Sequence, residues 1–344
     1  MEKVKIAFIG YGFVGSTWGN HLQECGYEQG KDLFCFDPPK NMFDDISEAA
    51  IAVISVPTPT NEDGRCNLSF VYEAVNRTRS NQWVVIRSTV SPMTTARLAQ
   101  KFPDRKGFIF IPEFLTENRA YEDFRSPDRV IIAPAGRDCQ AVDTLLALLP
   151  RARALSVPSY PDDAYQRLEV TSTEAELVKY FGNVMGAMKV HLAEMFKTAA
   201  QFCEFILRQE GITQRVDYDD HIRRMVAADY RIGPAHLQSG HGGYRGFGGY
   251  CFIKDTYALY SFFNELWIFC RQNIPGDELA KLLDHNRKFL EHMLAGNAAL
   301  LELQGVSEGE AMNHSVILTK ILEGKKLLDV PDYLNDGKAG KEEK

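Results

Sequence analysis

Residues 4–15 read VKIAFIGYGFVG. A short apolar run, 4–9, breaks into Gly10-Tyr11-Gly12-Phe13-Val14-Gly15, and a helical pattern follows through STWGNHLQECG to Gly26. A GxGxxG that leaves a strand and opens a helix sits in the context that gives this motif its meaning. The first glycine permits the tight turn, the second lets backbone approach a pyrophosphate, and the third packs helix on strand. Phe13 and Val14 open the helix, whose free N–H groups and positive dipole end favour phosphate. Asp37 closes the next apolar run, DLFCFD, 22 residues after Gly15. A carboxylate there suits adenosine ribose hydroxyls and disfavours a 2′-phosphate, so NAD is expected over NADP. A plain glycine turn without cofactor is the competing reading.

Further apolar runs lie at 50–59, 83–90, 106–114 and 129–134, mostly separated by segments of helical periodicity. Strands alternating with helices predict βαβ units and a parallel sheet covered on both faces. Near 165 the character changes. Residues 172–211 read as one long helix, with Ser172 or Thr173 able to cap it and Gly211 just past its end. Such a length suits a domain-spanning or dimer-forming helix. Helical segments follow around 218–228, 255–273 and 276–303, and the polar end, NDGKAGKEEK, is expected to be disordered. The expected fold class is therefore α/β: an N-terminal Rossmann-type doubly wound sheet, then an all-α domain with a long central helix. The expected divisions are 1–168 for NAD binding, 169–300 for a helical catalytic and dimerisation domain, and 301–344 for a helical extension and tail.

The 344 residues are 45% hydrophobic and 25% charged, ordinary for a globular chain able to bury a large core. A net charge of −7 argues against a nucleic-acid binder. The seven cysteines include no CxxC pair, so no metal site is expected, and they read as reduced thiols of a cytoplasmic protein. The N-terminus does not read as a signal peptide, and no stretch approaches a membrane span.

Chemistry is suggested in three places. Cys251 lies in GYRGFGGYCFIKD (243–255), a glycine-rich loop followed by Lys254 and Asp255. Bare backbone would let its sulfur meet a substrate carbon, and nearby cations would favour a thiolate. A buried, inert thiol is the bland alternative. Lys179 and Asn183, four apart, share a face of the long helix; by themselves they read as a solvated face. Glu113 and Glu117 follow the fifth run, and Thr89 ends the fourth, where open α/β sheets place their ligand crevice.

The segments GYGFVG, SVPTPTNEDGRCNLSFV, RSTVSPMTT, PEFLTENRAYEDFRSPDRVIIA, ELVKYFGNV, DYRIGPAHL and GFGGYCFIKD, in this order, resemble the nucleotide-sugar dehydrogenases of the UDP-glucose 6-dehydrogenase and GDP-mannose 6-dehydrogenase type. The resemblance implies a four-electron, NAD-dependent oxidation of a sugar primary alcohol to a carboxylate. Cys251 would be the nucleophile, passing through a thiohemiacetal and a thioester. Lys179 would stabilise the oxyanion, and Asn183 and Asp255 would hold water or a lysine. Of Glu113 and Glu117 one would act as general base, and Thr89 would position water. Pro57, Thr58, Thr89 and Lys254 would join the glycine turn around NAD. Phe114, Leu115 and Gly248 would meet substrate, and Arg231 would reach it from the partner of a homodimer.

Three departures stand out. The family usually carries a third domain that opens with a strand and glycine turn. The 55 or so residues after 290 show no such pattern, so the nucleotide half of the site is expected to be incomplete. SGHGGYR is inserted upstream of Cys251, where His241 and Arg245 are expected to supply substitute contacts. Ile253 stands where the family commonly has proline. A smaller or non-nucleotide alcohol, or a non-catalytic NAD-binding partner protein, remain the alternative readings.

Overall fold

In the computed structural model the strand β1, Ile6–Ile9, has every residue buried, as does β4, Ile51–Ile54. The structure describes residues 3–116, 119–136, 141–152, 170–240 and 244–312. Successive side chains of a strand point to opposite faces, and both faces here are apolar. Ile6 and Phe8 join Trp18, Leu22, Val53, Val85 and Ile109 in one cluster. Ala7 and Ile9 join Ile54, Val71, Val75, Val84, Ile86 and Leu98 in the other.

The sheet completes with β2 (Leu33–Asp37), β3 (Met42–Phe43), β5 (Trp83–Ile86), β6 (Gly107–Phe110) and β7 (Ala133–Pro134). The order is β3-β2-β1-β4-β5-β6-β7. The five central strands are parallel, as expected, but the sheet is mixed: β3 pairs with β2, and β7 with β6, antiparallel. The run at 129–134 contributes only two residues to the ladder. Pro134 has no N–H to donate, which suits an edge position. The β3 strand, two residues long, carries no alternation from which to read it. Helices α1 (Phe13–Glu24), α2 (Ser69–Arg77), α3 (Thr94–Lys101), α4 (Ala120–Arg125) and α5 (Ala141–Leu148) belong with this sheet in a compact unit ending at Lys179.

Helix α6, Ser172–Gln209, runs on into a second compact unit beginning at Tyr180. Its cap is Thr171, not Ser172 or Thr173. Thr171 Oγ1 accepts the Glu174 N–H at 3.3 Å while Glu174 Oε2 accepts the Thr171 N–H at 2.7 Å, a reciprocal capping box. The second unit adds a π-helical turn (Tyr218–Ile222), α7 (Arg223–Ala227), α8 (Tyr250–Asn273), α9 (Glu278–Glu302) and α10 (Glu308–Ala311). Val184, Ala187, Val190, Ile253, Leu290, Met293 and Leu294 form its core, together with Leu301, Val306 and Ala311. Leu301, Val306 and Ala311 thus pack within the second unit, with Met312 against them. The tail expected to be disordered lies outside the described residues.

A Cβ at Gly15 would stand 2.3 Å from the Gly10 carbonyl oxygen, so α1 lies against the turn with no room for a methyl group. Gly15→Ala is expected to lower unfolding stability by about 1–3 kcal/mol through overpacking, read as a lower urea midpoint. An unchanged midpoint would show that the turn yields freely.

Candidate active site

At the first glycine the backbone has φ +86°, and an added Cβ would stand 2.5 Å from the Ser55 carbonyl oxygen. Gly12, by contrast, opens onto free space, with nothing within 4 Å of a Cβ built there. Gly12 is also the N-cap of α1 and supplies no side-chain hydrogen bond, so the first N–H groups of the helix stay available for an anion. Asp37, buried at the end of β2, accepts the Tyr11 N–H on Oδ2 at 2.7 Å, which fixes the carboxylate beside the turn. The strand order reverses between β1 and β4, the crevice where open α/β sheets bind ligands. These features fit NAD: Gly10, Gly12, Phe13, Val14 and Gly15 would hold its pyrophosphate and Asp37 its ribose. The Thr58 hydroxyl donates to the Thr89 carbonyl at 2.7 Å and ties the loop after β4 to the loop after β5, with Pro57 exposed beside it.

Beyond β6 lies a buried ion pair. Lys179 Nζ donates to Glu113 Oε1 at 2.6 Å and to the Glu113 carbonyl at 2.7 Å, while Oε2 accepts the Leu115 N–H at 2.9 Å. Burial alone raises the Glu113 carboxyl. The charge and hydrogen bond of Lys179, the Leu115 N–H and the charge of Arg87 outweigh it and hold the group below its ordinary value. Lys179 is only 3% exposed, so the solvated-face reading is overturned. Phe114 lies under the Arg129 guanidinium, 3.9 Å from the ring centroid. Glu117 lies outside the described residues.

In the second unit Cys251 is not in a loop. It occupies the first turn of α8 and is exposed. Gly249, at φ +72°, is the N-cap. One turn on, buried Lys254 pairs with fully buried Asp255, whose other oxygen accepts from Asn183 Nδ2. A helix N-terminus favours negative charge at the sulfur's position.

The chain before Cys251 is held by polar clamps. Asn297, buried, accepts the Phe247 N–H at 2.8 Å and donates to its carbonyl at 3.0 Å. Gly249 donates its N–H to the Ala311 carbonyl at 2.9 Å. Gly248 packs against Tyr244, which leaves no space for a Cβ. Arg245 requires a correction too. It is 6% exposed, and its guanidinium bonds Glu194 Oε2 at 2.7 Å, the Glu194 carbonyl at 3.2 Å, Thr198 at 2.7 Å and Gln201 at 3.4 Å. With its donors spent inward, it braces the loop and does not reach for substrate. His241 lies outside the described residues. Arg231 is exposed and folds back onto Asp229.

Two buried groups escaped the sequence reading. Arg87 lies beside the Trp18 and Phe124 rings, 5.4 and 5.6 Å from their centroids. Glu176, fully buried, takes the Thr95 N–H at 2.8 Å and its hydroxyl at 2.6 Å, capping α3. A signal existed for the second: Ser172, Ala175, Glu176, Lys179 and Tyr180 follow helical spacing and form the buried face.

The fold and turn define a dinucleotide-binding α/β protein. Residues 39–148 match the NAD binding domain of the UDP-glucose/GDP-mannose dehydrogenase family, and residues 173–272 match its central domain. The chain belongs to this family. It is 28% identical over 266 residues to a UDP-glucose 6-dehydrogenase of Rickettsia bellii (strain RML369-C), covering 71% of this chain and 55% of that protein. It is 29% identical over 302 residues to one of Rhizobium meliloti (strain 1021), covering 74% and 62%. A solved UDP-glucose dehydrogenase from Pyrobaculum islandicum is similar at 25% identity and a TM-score of 0.59, covering 86% of this chain and 68% of that one. The chain thus spans between half and two thirds of the length of these curated relatives.

Burial raises the Glu176 carboxyl to about 7, against partial lowering by the Thr95 hydrogen bonds and the backbone at Met93 and Thr94. A raised carboxyl binds its proton more tightly when folded. Stability is therefore greatest below the ordinary value of 4.5 and falls as pH rises towards about 7. Glu176→Gln is expected to remove this loss, of order 3 kcal/mol at most. Urea unfolding at pH 5 and pH 8 would show a smaller difference in the variant; equal differences would refute the assignment.

Proposed function

We propose that the chain is an NAD-dependent dehydrogenase that oxidises the primary alcohol of a nucleotide-linked sugar to the carboxylate through Cys251. The observation that carries this reading is an exposed thiol in the first turn of a helix, backed by a buried Lys254–Asp255–Asn183 cluster. NAD, when bound, would accept two electrons at each of two oxidations, of the alcohol to the aldehyde and of the thiohemiacetal to the thioester. Cys251 Sγ bonds to the carbon of the intermediate aldehyde as its proton leaves and the aldehyde oxygen is protonated. Lys179, one helical turn before Asn183 on α6, has two contacts on Glu113 and a third N–H for a substrate oxygen. Water releases the acid from the thioester: its oxygen bonds to the acyl carbon, the C–S bond breaks, and sulfur regains a proton. Glu113 or Glu117 acts as base for that water, positioned by Thr89. Phe114, Leu115 and Gly248 border the substrate. The cytoplasm is the proposed compartment; among the described residues no helix is long and apolar enough to cross a membrane.

Two NADH are expected per UDP-glucose consumed, followed by absorbance, with GDP-mannose, UDP-N-acetyl sugars and free alcohols as competitors. Cys251→Ser is expected to bind NAD and form no acid. Normal acid production by that variant would falsify the covalent route.

We further propose a homodimer. Phe181, Met185, Leu192, Met195, Phe196, Phe202 and Ile206 of α6 are all exposed, a large apolar surface of the kind that marks interaction sites. Arg231 would reach the partner's substrate. Light scattering is expected to give twice 38.8 kDa, and Phe196→Asp to give the monomer mass. A monomeric wild type would reject the dimer.

A further inference from the structure

A cavity of about 250 Å³ lies beyond the carboxyl ends of β5 and β6 in the first unit, lined by Arg87, Phe114, Leu115, Arg119, Phe124 and Arg129 among others. Its polar feature is Arg87, 5% exposed. The guanidinium is poorly satisfied. Nη1 makes only long contacts, 3.4 and 3.5 Å, to the carbonyls of Ile111 and Pro112, and Nε has no partner among the described residues. Arginine pairs Nε–H with one Nη–H as a two-pronged edge that matches carboxylate or phosphate oxygens. That edge carries no hydrogen bond among the described residues. Burial also lowers the Arg87 pKa to about 10, partly offset by the charge of Glu113.

We propose that this cavity is a small-anion site, in which the Arg87 Nε edge receives two oxygens of a carboxylate or phosphate, with Arg119 and Arg129 at the rim. The two acidic side chains on the lining do not fill that role. Asp123 accepts the Thr116 N–H at 2.9 Å, and Asp128 sits beside Arg129. A buried cation with unmet donors is costly unless something compensates it, and the cavity leaves room for the compensating group. The site also communicates with the buried pair, because Arg87 is one of the charges that keep Glu113 ionised. A bound anion offsets that charge and moves the Glu113 carboxyl upward.

Calorimetric titration of the full chain with inorganic phosphate, and separately with acetate, tests the site against sodium chloride at equal ionic strength. The titrations are run with and without NAD, so that phosphate held by the glycine turn is recognised by its loss when NAD is present. Binding of phosphate, acetate or both that survives NAD is expected, and the stronger of the two names the ligand class. Arg87→Lys keeps the charge but loses the fork, and is expected to weaken this binding about tenfold or more. Arg119→Gln, on an exposed side chain, serves if the buried substitution prevents folding, and is also expected to weaken it. No heat beyond the chloride control would overturn the proposal. So would binding that Arg87→Lys, or Arg119→Gln if the former does not fold, leaves at wild-type strength.

Discussion

The ion pair between Lys179 and Glu113 organises the first unit's chemistry. Both side chains are nearly out of water, and a buried charge is tolerated only when paired and hydrogen-bonded. Lys179 meets this with two contacts to one residue, and Glu113 with contacts from Lys179 and the Leu115 backbone. The start of α6 is thereby fixed against the segment after β6. Glu176, one turn earlier, fixes the same helix against the N-terminus of α3. Removing one partner of such a pair leaves an uncompensated charge, costing about 3–5 kcal/mol.

In its first turns helix α6 partly inverts the usual arrangement. Glu176 and Lys179 face inward, while Leu177, Val178 and Phe181 face outward. Most amphipathic helices bury the apolar stripe. The inversion explains why Lys179 and Asn183 looked like a solvated face from sequence: charge at helical spacing ordinarily marks the wet side. The spacing itself was legible; which side of the helix the rest of the chain would cover was not, because that is a tertiary outcome.

The parallel strands and the glycine turn were read directly, since the apolar runs and the GxGxxG are local signals with local causes. The edge strands were not. β3 pairs through only two residues, and the 129–134 run shrank to an antiparallel pair ending in Pro134. In the second unit the glycines near Cys251 suggested a loop extending through the cysteine. Gly249 instead ends the irregular segment, and the helix starts at Tyr250. Arg245 braces the loop, because the partners that claim it, Glu194 and Thr198, lie 51 and 47 residues earlier in the chain.

The bond from Gly249 N–H to the Ala311 carbonyl makes the residue that starts the cysteine helix answer to a segment 62 positions further along the chain. Ala311 is buried in α10, which is held in place by its own Ser307–Glu310 capping box and by the Tyr257 hydroxyl on Glu308. The helix that carries Cys251 is thus clasped by a piece of chain lying beyond the 173–272 stretch that matches the central domain. Trimming the chain to that recognisable stretch would remove the clasp, so a unit that presents Cys251 in this geometry extends at least to Ala311.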